Sequence, residues 1–518
     1  MTKEKPNIIF ILADDLGYGD LACYGNPVID TPVIDSLAAT GILFTDYYSP
    51  SPLCAPARAA LLTGRYNHRT GAVDVSSNRG IDRIALSEKT FGDYFRHAGY
   101  VTALIGKWHN GLYCNDYLPL NRGFDFFFGF ANGEQDYWNW TLFRNTEIEK
   151  SDGRHMTDVF NQEAVQFIGQ CAEQKKPFAL FLAHHPPHPP YQAPEHLIEK
   201  YKNRSEGKYS DTVATIYAMI EQMDSGLRWI LDELEKKKLR DNTIIVFTSD
   251  NGANLSGSSR RYAGGFQGNK GNVLEQGIRV PAIVSWPGKI QTGRIISVPV
   301  HGCDWLPTLY SLTGMTPPDG AKAVDGKNIM PLLLDGNTTA FDKRELFFQK
   351  NRYTPVAHSD GAVRKEKWKL FWPGEKTTME KNIGRDNPSF ERGRVSPHWE
   401  MPIDPGLPAF DGIITKSPQL FDLEKDPGET TDVSETYPEI VRELAQEYNA
   451  WFSDVFAEWK RSFDEVKKYD ETYWNNRAIP DPGELFRDFW QWARSPGINP
   501  ETDDPLNVFT GYWNYKIK

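Results

Sequence analysis

Short runs of consecutive apolar residues alternate along the first two thirds of the chain with stretches whose apolar residues recur at helical spacing. The runs at 8–13, 101–105, 178–183, 243–248 and 280–285 read as strands. Between them the pattern predicts one helix opening at Thr31-Pro32 and closing at Gly41, another opening at Ser87, and longer ones over 158–173 and 211–238. Strands alternating with helices predict a layered α/β fold with a mainly parallel sheet. A stretch rich in Pro, Gly and Asp over 317–336 reads as a connection after this core, which places a boundary near residue 340. Beyond it 345–350, 367–372 and 419–423 read as strands and 437–452 as an amphipathic helix. That predicts a small α+β domain over 341–460. The segment 461–518 carries Trp474, Trp490, Trp492 and Trp513 among Pro, Asp and Asn, and is expected to pack on the main body.

A length of 518 residues suits a large α/β core over 1–340 with a smaller appended domain. The apolar run 8–13 is too short to span a bilayer and lacks a secretory charged segment and cleavage site. The compartment is periplasmic or secreted if a signal peptide has been removed, and cytoplasmic otherwise. A net charge of −11 argues against a nucleic-acid binder. It leaves an anionic substrate open, because Lys and Arg in a cleft set the local field and distant carboxylates are screened over about 10 Å. Cys23, Cys54, Cys114, Cys171 and Cys303 are scattered without CxxC spacing, which argues against a disulfide scaffold or a zinc site.

Four of the expected strands run directly into polar clusters: Asp14-Asp15, Gly106-Lys107-Trp108-His109, His184-His185 with His188, and Ser249-Asp250-Asn251-Gly252. Ligands of open α/β sheets bind outside the carboxyl ends of the strands, so these clusters are expected to converge. Asp14, Asp15, Asp250 and Asn251 are hard oxygen ligands suited to Ca²⁺ or Mg²⁺. Taken singly, Asp-Asp and Asp-Asn-Gly are also common turn and cap sequences. Lys107 and His109 alternate along an extended segment and would share a face. Cys54 precedes a helix start near Ala57; its thiol is either activated there or simply buried.

The segment Cys54-Ala-Pro-Ala-Arg58-Ala-Ala-Leu-Leu-Thr-Gly-Arg65 resembles the signature of the formylglycine-dependent sulfatases of the alkaline phosphatase superfamily. The other motifs follow in family order: Pro6-Asn-Ile-Ile with Asp14-Asp15, Gly106-Lys-Trp-His109, Pro187-His188, Ser249-Asp-Asn-Gly252, Lys270, and Glu275-x-Gly277-Ile-Arg-Val-Pro281. Leu420-Phe-Asp-Leu423 and Asp426-Pro-Gly-Glu429 extend the likeness into the second domain. Ala57, Asn110 and Gln276 depart from the commoner family residues without removing a reactive group.

The resemblance implies a large mixed sheet sandwiched by helices, with a smaller C-terminal domain containing an antiparallel sheet. It implies oxidation of Cys54 to formylglycine by a maturation enzyme, and Ca²⁺ held by Asp14, Asp15, Asp250 and Asn251 with residue 54 at or near the ion. A hydroxyl of the aldehyde hydrate, made more acidic by the cation and Arg58, would attack sulfur. Lys107 and Lys270 would neutralise the sulfuryl oxygens, His188 would protonate the leaving alcohol, and His109 would serve the step that expels sulfate. The loops 132–140 and 256–269, rich in aromatic and amide side chains, favour a sulfated oligo- or polysaccharide as substrate. The variant Gly-Lys-Trp-His-Asn-Gly is similar to that of sulfatases acting on marine galactans such as carrageenan. Competing expectations are a glycosaminoglycan sulfatase, a phosphonate or phosphodiester hydrolase of the same superfamily, and an inactive carbohydrate-binding homologue. Lys107 and Lys270 argue against the phosphorus esters, and intact Cys54, Arg58 and His188 against the inactive form.

Overall fold

The apolar runs become the centre of a ten-stranded mixed sheet. Its spatial order is Arg294–Ile296, Ile42–Phe44, Ala282–Ser285, Thr243–Ser249, Asn7–Ala13, Phe178–Ala183, Val101–Lys107, Phe126–Phe130, Thr141–Arg144 and Glu147–Lys150. The computed structural model describes residues 5–75, 82–111, 115–204, 207–350, 355–374 and 417–475. From Thr243–Ser249 across to Phe126–Phe130 the neighbours are parallel, so their carboxyl ends lie along one edge. Ala282–Ser285 runs antiparallel to its neighbours and makes the sheet mixed.

Asn7–Ala13 is buried along its whole length because helices cover both faces of the sheet. Ile8, Phe10 and Leu12 enter one core, with Ala59, Leu61 and Leu62 of the helix Cys54–Thr63. Ile9, Ile11 and Ala13 enter the other, with Val159 and Phe160 of Met156–Glu173 and with Ile216 and Ile220 of Asp211–Lys236.

A second sheet of four antiparallel strands, Glu345–Gln349, Gly361–Lys365, Trp368–Trp372 and Gln419–Asp422, follows the core. One face packs Val363, Leu370 and Leu420 on Leu444, Tyr448 and Phe452 of the long helix Pro438–Asn475. The opposite face packs Leu346, Phe348, Ala362 and Phe371 on Tyr48, Val273 and Ile278 of the main body. Buried between these layers, Lys369 Nζ bridges Glu275 Oε1 at 2.9 Å and Glu429 Oε1 at 2.7 Å. Lys369→Met would leave Glu429 buried without its cation and Glu275 with Arg279 alone, at 3.2 Å. It is expected to cost about 3–5 kcal/mol of stability, read from denaturant unfolding at unchanged slope. An unchanged midpoint would show that the pair is not essential to docking the sheet.

Several boundaries differ from the sequence reading. The helix expected to open at Ser87 is Phe91–His97, because Thr90 and Asp93 form a capping box there. The expected connection 317–336 contains a helix, Met330–Asp335, whose Met330, Leu332 and Leu333 join the main core. The helix expected over 437–452 continues to Asn475, since buried residues recur at Val455, Trp459 and Val466. Ser462 Oγ donates to Arg69 O and Trp459 packs on Val73, so the helix touches the main body at these two residues. Trp490, Trp492 and Trp513 lie outside the described residues.

Candidate active site

The four polar clusters do meet at the carboxyl edge of the parallel strands. Asp14 and Asp15 leave Asn7–Ala13, and Asp250 leaves its neighbour with its N–H on Ala13 O at 3.1 Å. Ligand oxygens of Asp14, Asp15 and Asp250 lie within 4.8 Å of one another, and all three residues are buried. Asp15 adopts φ 65, which turns the chain sharply after the strand. Its N–H donates to Asp250 Oδ1 at 3.2 Å, and Asn251 Nδ2 donates to Asp15 Oδ1 at 2.7 Å.

Three cations oppose the three carboxylates. Arg58 donates to Asp250 Oδ2 at 2.8 Å, Lys107 Nζ to Asp14 Oδ2 at 2.6 Å, and Lys270 Nζ lies 2.8 Å from Asp15 Oδ1. Burial raises the Asp14 carboxyl, yet Lys107, His188, His185 and Arg58 outweigh it and hold Asp14 well below the ordinary range. Asp250 goes the other way, to about 7, because burial and the charge of Asp14 outweigh Arg58 and Lys107. Asp14 Oδ1 and Asn251 Oδ1 are buried and accept no hydrogen bond. Two bare oxygen acceptors beside clustered carboxylates are costly in a protein interior, and they suit a hard divalent cation. The residue set therefore fits a metal ion.

Cys54 is the first residue of the buried helix Cys54–Thr63, so the helix opens three residues before the start expected near Ala57. Cys54 and Arg58 are four residues apart and so share a helical face. Gly271 N–H donates to Pro52 O at 2.9 Å and Asn110 Nδ2 to Ala55 O at 2.9 Å, which ties this turn to the segments bearing Lys270 and Lys107. Burial raises the Cys54 thiol above its ordinary value although Lys107 and Lys270 oppose the shift. A thiol held protonated argues against a cysteine hydrolase.

Lys107 ends a strand whose Gly106 has φ 112, and a Cβ there would stand 1.9 Å from Ala183 O. Only glycine lets Val101–Lys107 approach Phe178–Ala183 so closely. Strict alternation does not continue to His109, because that residue has φ 56. His109 reaches the site through this turn instead. Its Nε2 lies 3.0 Å from Val75 O, a contact only Nε2–H can make, and its buried Nδ1 has no hydrogen-bond partner. Burial, then Lys107, pushes His109 well below the ordinary imidazole range.

His184 and His185 point to opposite sides. His184 Nε2 contacts Asn161 Oδ1 at 3.2 Å, away from the carboxylates, whereas His185 Nδ1 lies 3.0 Å from Asp14 Oδ2. Gln135 N–H donates to His185 Nε2, so His185 is a neutral Nδ1–H tautomer. Burial lowers it to about 4 against the pull of Asp14. The sequence signal for His185 was its place in the histidine group; only the geometry separates it from His184. His188 stacks on His185 with centroids 4.8 Å apart, and its Nδ1 lies 2.6 Å from Pro189 O. Burial, with Lys107 and Lys270, lowers His188 against the pull of Asp14. In the loop 256–269, Arg261 is committed to a bidentate pair with buried Asp20, both contacts at 2.6 Å.

A family profile described as Sulfatase matches residues 6–315, and one described as N-sulphoglucosamine sulphohydrolase, C-terminal, matches 266–380. Arylsulfatase H of Canis lupus familiaris is 32% identical over 528 residues, covering 83% of this chain and 88% of its own. N-acetylgalactosamine-6-sulfatase of the same species is 32% identical over 459 residues, covering 83% and 82%. Among solved structures, that of Ps i-CgsB in complex with k-i-k-neocarrahexaose superposes with a TM-score of 0.73 at 28% identity, covering 90% of this chain and 100% of that one. With the motifs placed on one mixed-sheet edge and the profile spanning most of the core, the chain belongs to the sulfatase family and is a sulfuric ester hydrolase.

Proposed function

We propose that this sulfatase hydrolyses sulfate monoesters of a sulfated carbohydrate, with Cys54 matured to formylglycine and Ca²⁺ held by Asp14, Asp15, Asp250 and Asn251. The observation that carries the reading is the meeting of Cys54, Arg58, Lys107 and Lys270 with a carboxylate cluster that leaves Asp14 Oδ1 and Asn251 Oδ1 bare. When bound, the ion supplies Lewis-acid stabilisation of sulfuryl charge, and the aldehyde hydrate at residue 54 supplies the nucleophilic oxygen.

The surrounding side chains do the rest. Arg58 stays over Asp250 beside residue 54 and favours the deprotonated hydroxyl there. Lys107 and Lys270 pair with Asp14 and Asp15, and beside carboxylates that would hold a metal ion their ammonium groups would neutralise the non-bridging sulfate oxygens. As the S–O bond to the sugar breaks, the leaving oxygen takes a proton from His188 Nε2, the nitrogen opposite the Nδ1–Pro189 contact. His188 is neutral while the site lacks substrate, with its one proton on Nδ1 toward Pro189 O; the negative charge of an arriving sulfate ester raises its proton affinity, so Nε2 takes from solvent the second proton that it then gives to the leaving oxygen. His185 cannot substitute, because both its nitrogens are engaged. His109, neutral with a bare Nδ1, suits the base that removes a proton from the remaining hydroxyl when sulfate is expelled.

The carbohydrate part rests on the relatives and on the loop 132–140, where Tyr137, half-buried Trp138 and Gln135 sit against the histidines. One similar relative is an N-acetylgalactosamine-6-sulfatase, and a similar structure was solved with a neocarrahexaose. Matured protein is expected to release sulfate from at least one member of a panel of sulfated galactan and glycosaminoglycan oligosaccharides. It should do so with higher kcat/KM than it shows for phosphodiesters and phosphonate esters under matched conditions. A phosphodiester preference would transfer the site to phosphorus chemistry, and release from no oligosaccharide would remove the carbohydrate assignment.

A further inference from the structure

Four rings form a continuous column from the loop 132–140 into the site. His155 stacks on Tyr137 (5.1 Å, 19°), Tyr137 on His185 (5.0 Å, 18°), and His185 on His188 (4.8 Å, 27°). The column is pinned at its outer end and at both inner rings. His155 caps the helix Met156–Glu173 and contacts Gln192 O at 3.2 Å, while His185 is held by Asp14. Tyr137 is fixed on every side: its N–H donates to Gln192 Oε1 at 2.9 Å, and its carbonyl accepts from Met156 N–H at 2.8 Å. Its hydroxyl donates to the His188 carbonyl at 2.9 Å. The ring is fully buried, so it touches no substrate.

We propose that Tyr137 is a positioning residue for the leaving-group acid: through its hydroxyl on the His188 carbonyl and its ring on His185, it fixes where the His188 imidazole stands relative to the bond that breaks. The proposal rests on the reading of His188 as the group that protonates the leaving oxygen. It also explains why the loop that carries Gln135 and Trp138 lies where it does. A loop proposed to meet the substrate is joined, through one tyrosine, to the acid that protonates the leaving oxygen. Proton transfer by a placed acid contributes about 10²–10⁴-fold, and a displacement of about 1 Å costs about 10²-fold of such a gain.

A merely structural role would lower turnover of every ester alike, whereas a displaced acid penalises only esters whose leaving oxygen needs the proton. Matured wild type, Tyr137→Phe, Tyr137→Leu and His188→Ala are therefore compared on a sulfated oligosaccharide that the wild type turns over and on 4-nitrophenyl sulfate, whose phenolate leaves unprotonated. Tyr137→Phe keeps the ring in the column and removes only the hydroxyl, so it remains informative if Tyr137→Leu does not fold. The expected result is a loss of kcat on the sugar ester of about 10-fold for Tyr137→Phe and about 10²-fold for Tyr137→Leu, with KM and the aryl ester rate changed far less. Wild-type sugar-ester rates in both Tyr137 variants, or equal losses on the two esters, would overturn the proposal. His188→Ala separates the two levels. If it is selective for the sugar ester while the Tyr137 variants are not, the positioning role alone fails; if it is not selective, the reading of His188 as acid fails with it.

Discussion

Cys54→Ala is expected to abolish sulfate release while leaving the fold intact. Alanine keeps the helix start, since it has the highest helix propensity and Cys54 is followed by Ala55, Ala57 and Ala59 in a helix already built of small residues. Loss of one buried sulfur costs about 1 kcal/mol of stability, little beside the stability of the domain. The chemical loss is of another order. The variant has no atom that can be oxidised to an aldehyde, and removing a covalent nucleophile costs about 10⁶-fold in kcat where it has been measured in other hydrolases. Arg58, Lys107 and Lys270 would still bind the sulfate group, so the variant should bind a sulfated oligosaccharide without turning it over. Comparable turnover in Cys54→Ala would remove residue 54 from the chemistry.

The second large effect is expected at the carboxylates. Asp14→Asn preserves shape but removes the charge that Lys107, His185 and Arg58 surround. It also removes a ligand oxygen that is bare in the structure. Charge stabilisation worth about 4 kcal/mol corresponds to about 10³-fold in rate, and a loss of that size is expected. Calorimetry with Ca²⁺ supplies the direct readout. Wild-type protein should bind the ion and gain about 2.7 kcal/mol of stability at a hundredfold excess over Kd, and Asp14→Asn should gain none. Affinity should also weaken as the pH falls through about 7, where Asp250 takes up the proton that a cation must displace. Equal Ca²⁺-dependent stabilisation of wild type and Asp14→Asn would place the ion elsewhere.

Much of this site is legible in the amino-acid sequence because the parallel strands are short apolar runs that end abruptly in polar residues. Asp14, Lys107, His185 and Asp250 follow directly on such runs, and parallel neighbours put run ends on one edge. Local turns are harder to read. The φ of 56 at His109 breaks the alternation expected from Lys107, and nothing in the adjacent residues signals it. Pairs remote in sequence are harder still: nothing near Arg261 in the chain signals that Asp20, 241 positions away, holds it. The same holds for Lys369 with Glu275, which joins the small sheet to the segment after Lys270. Of the small sheet, Gly361–Lys365 escaped the pattern because only Ala362 and Val363 in it are apolar. Tyr137 shows the limit most clearly. In the sequence it is one aromatic among several in a loop; in the fold it is the middle of a ring column that ends at His188.

Mass spectrometry of the peptide containing Cys54, taken from protein that is actively releasing sulfate, tests the central claim most directly. The account predicts the mass of formylglycine at position 54, with the converted fraction rising in proportion to specific activity across preparations matured to different extents. Full activity in protein whose residue 54 is entirely unmodified cysteine would contradict it.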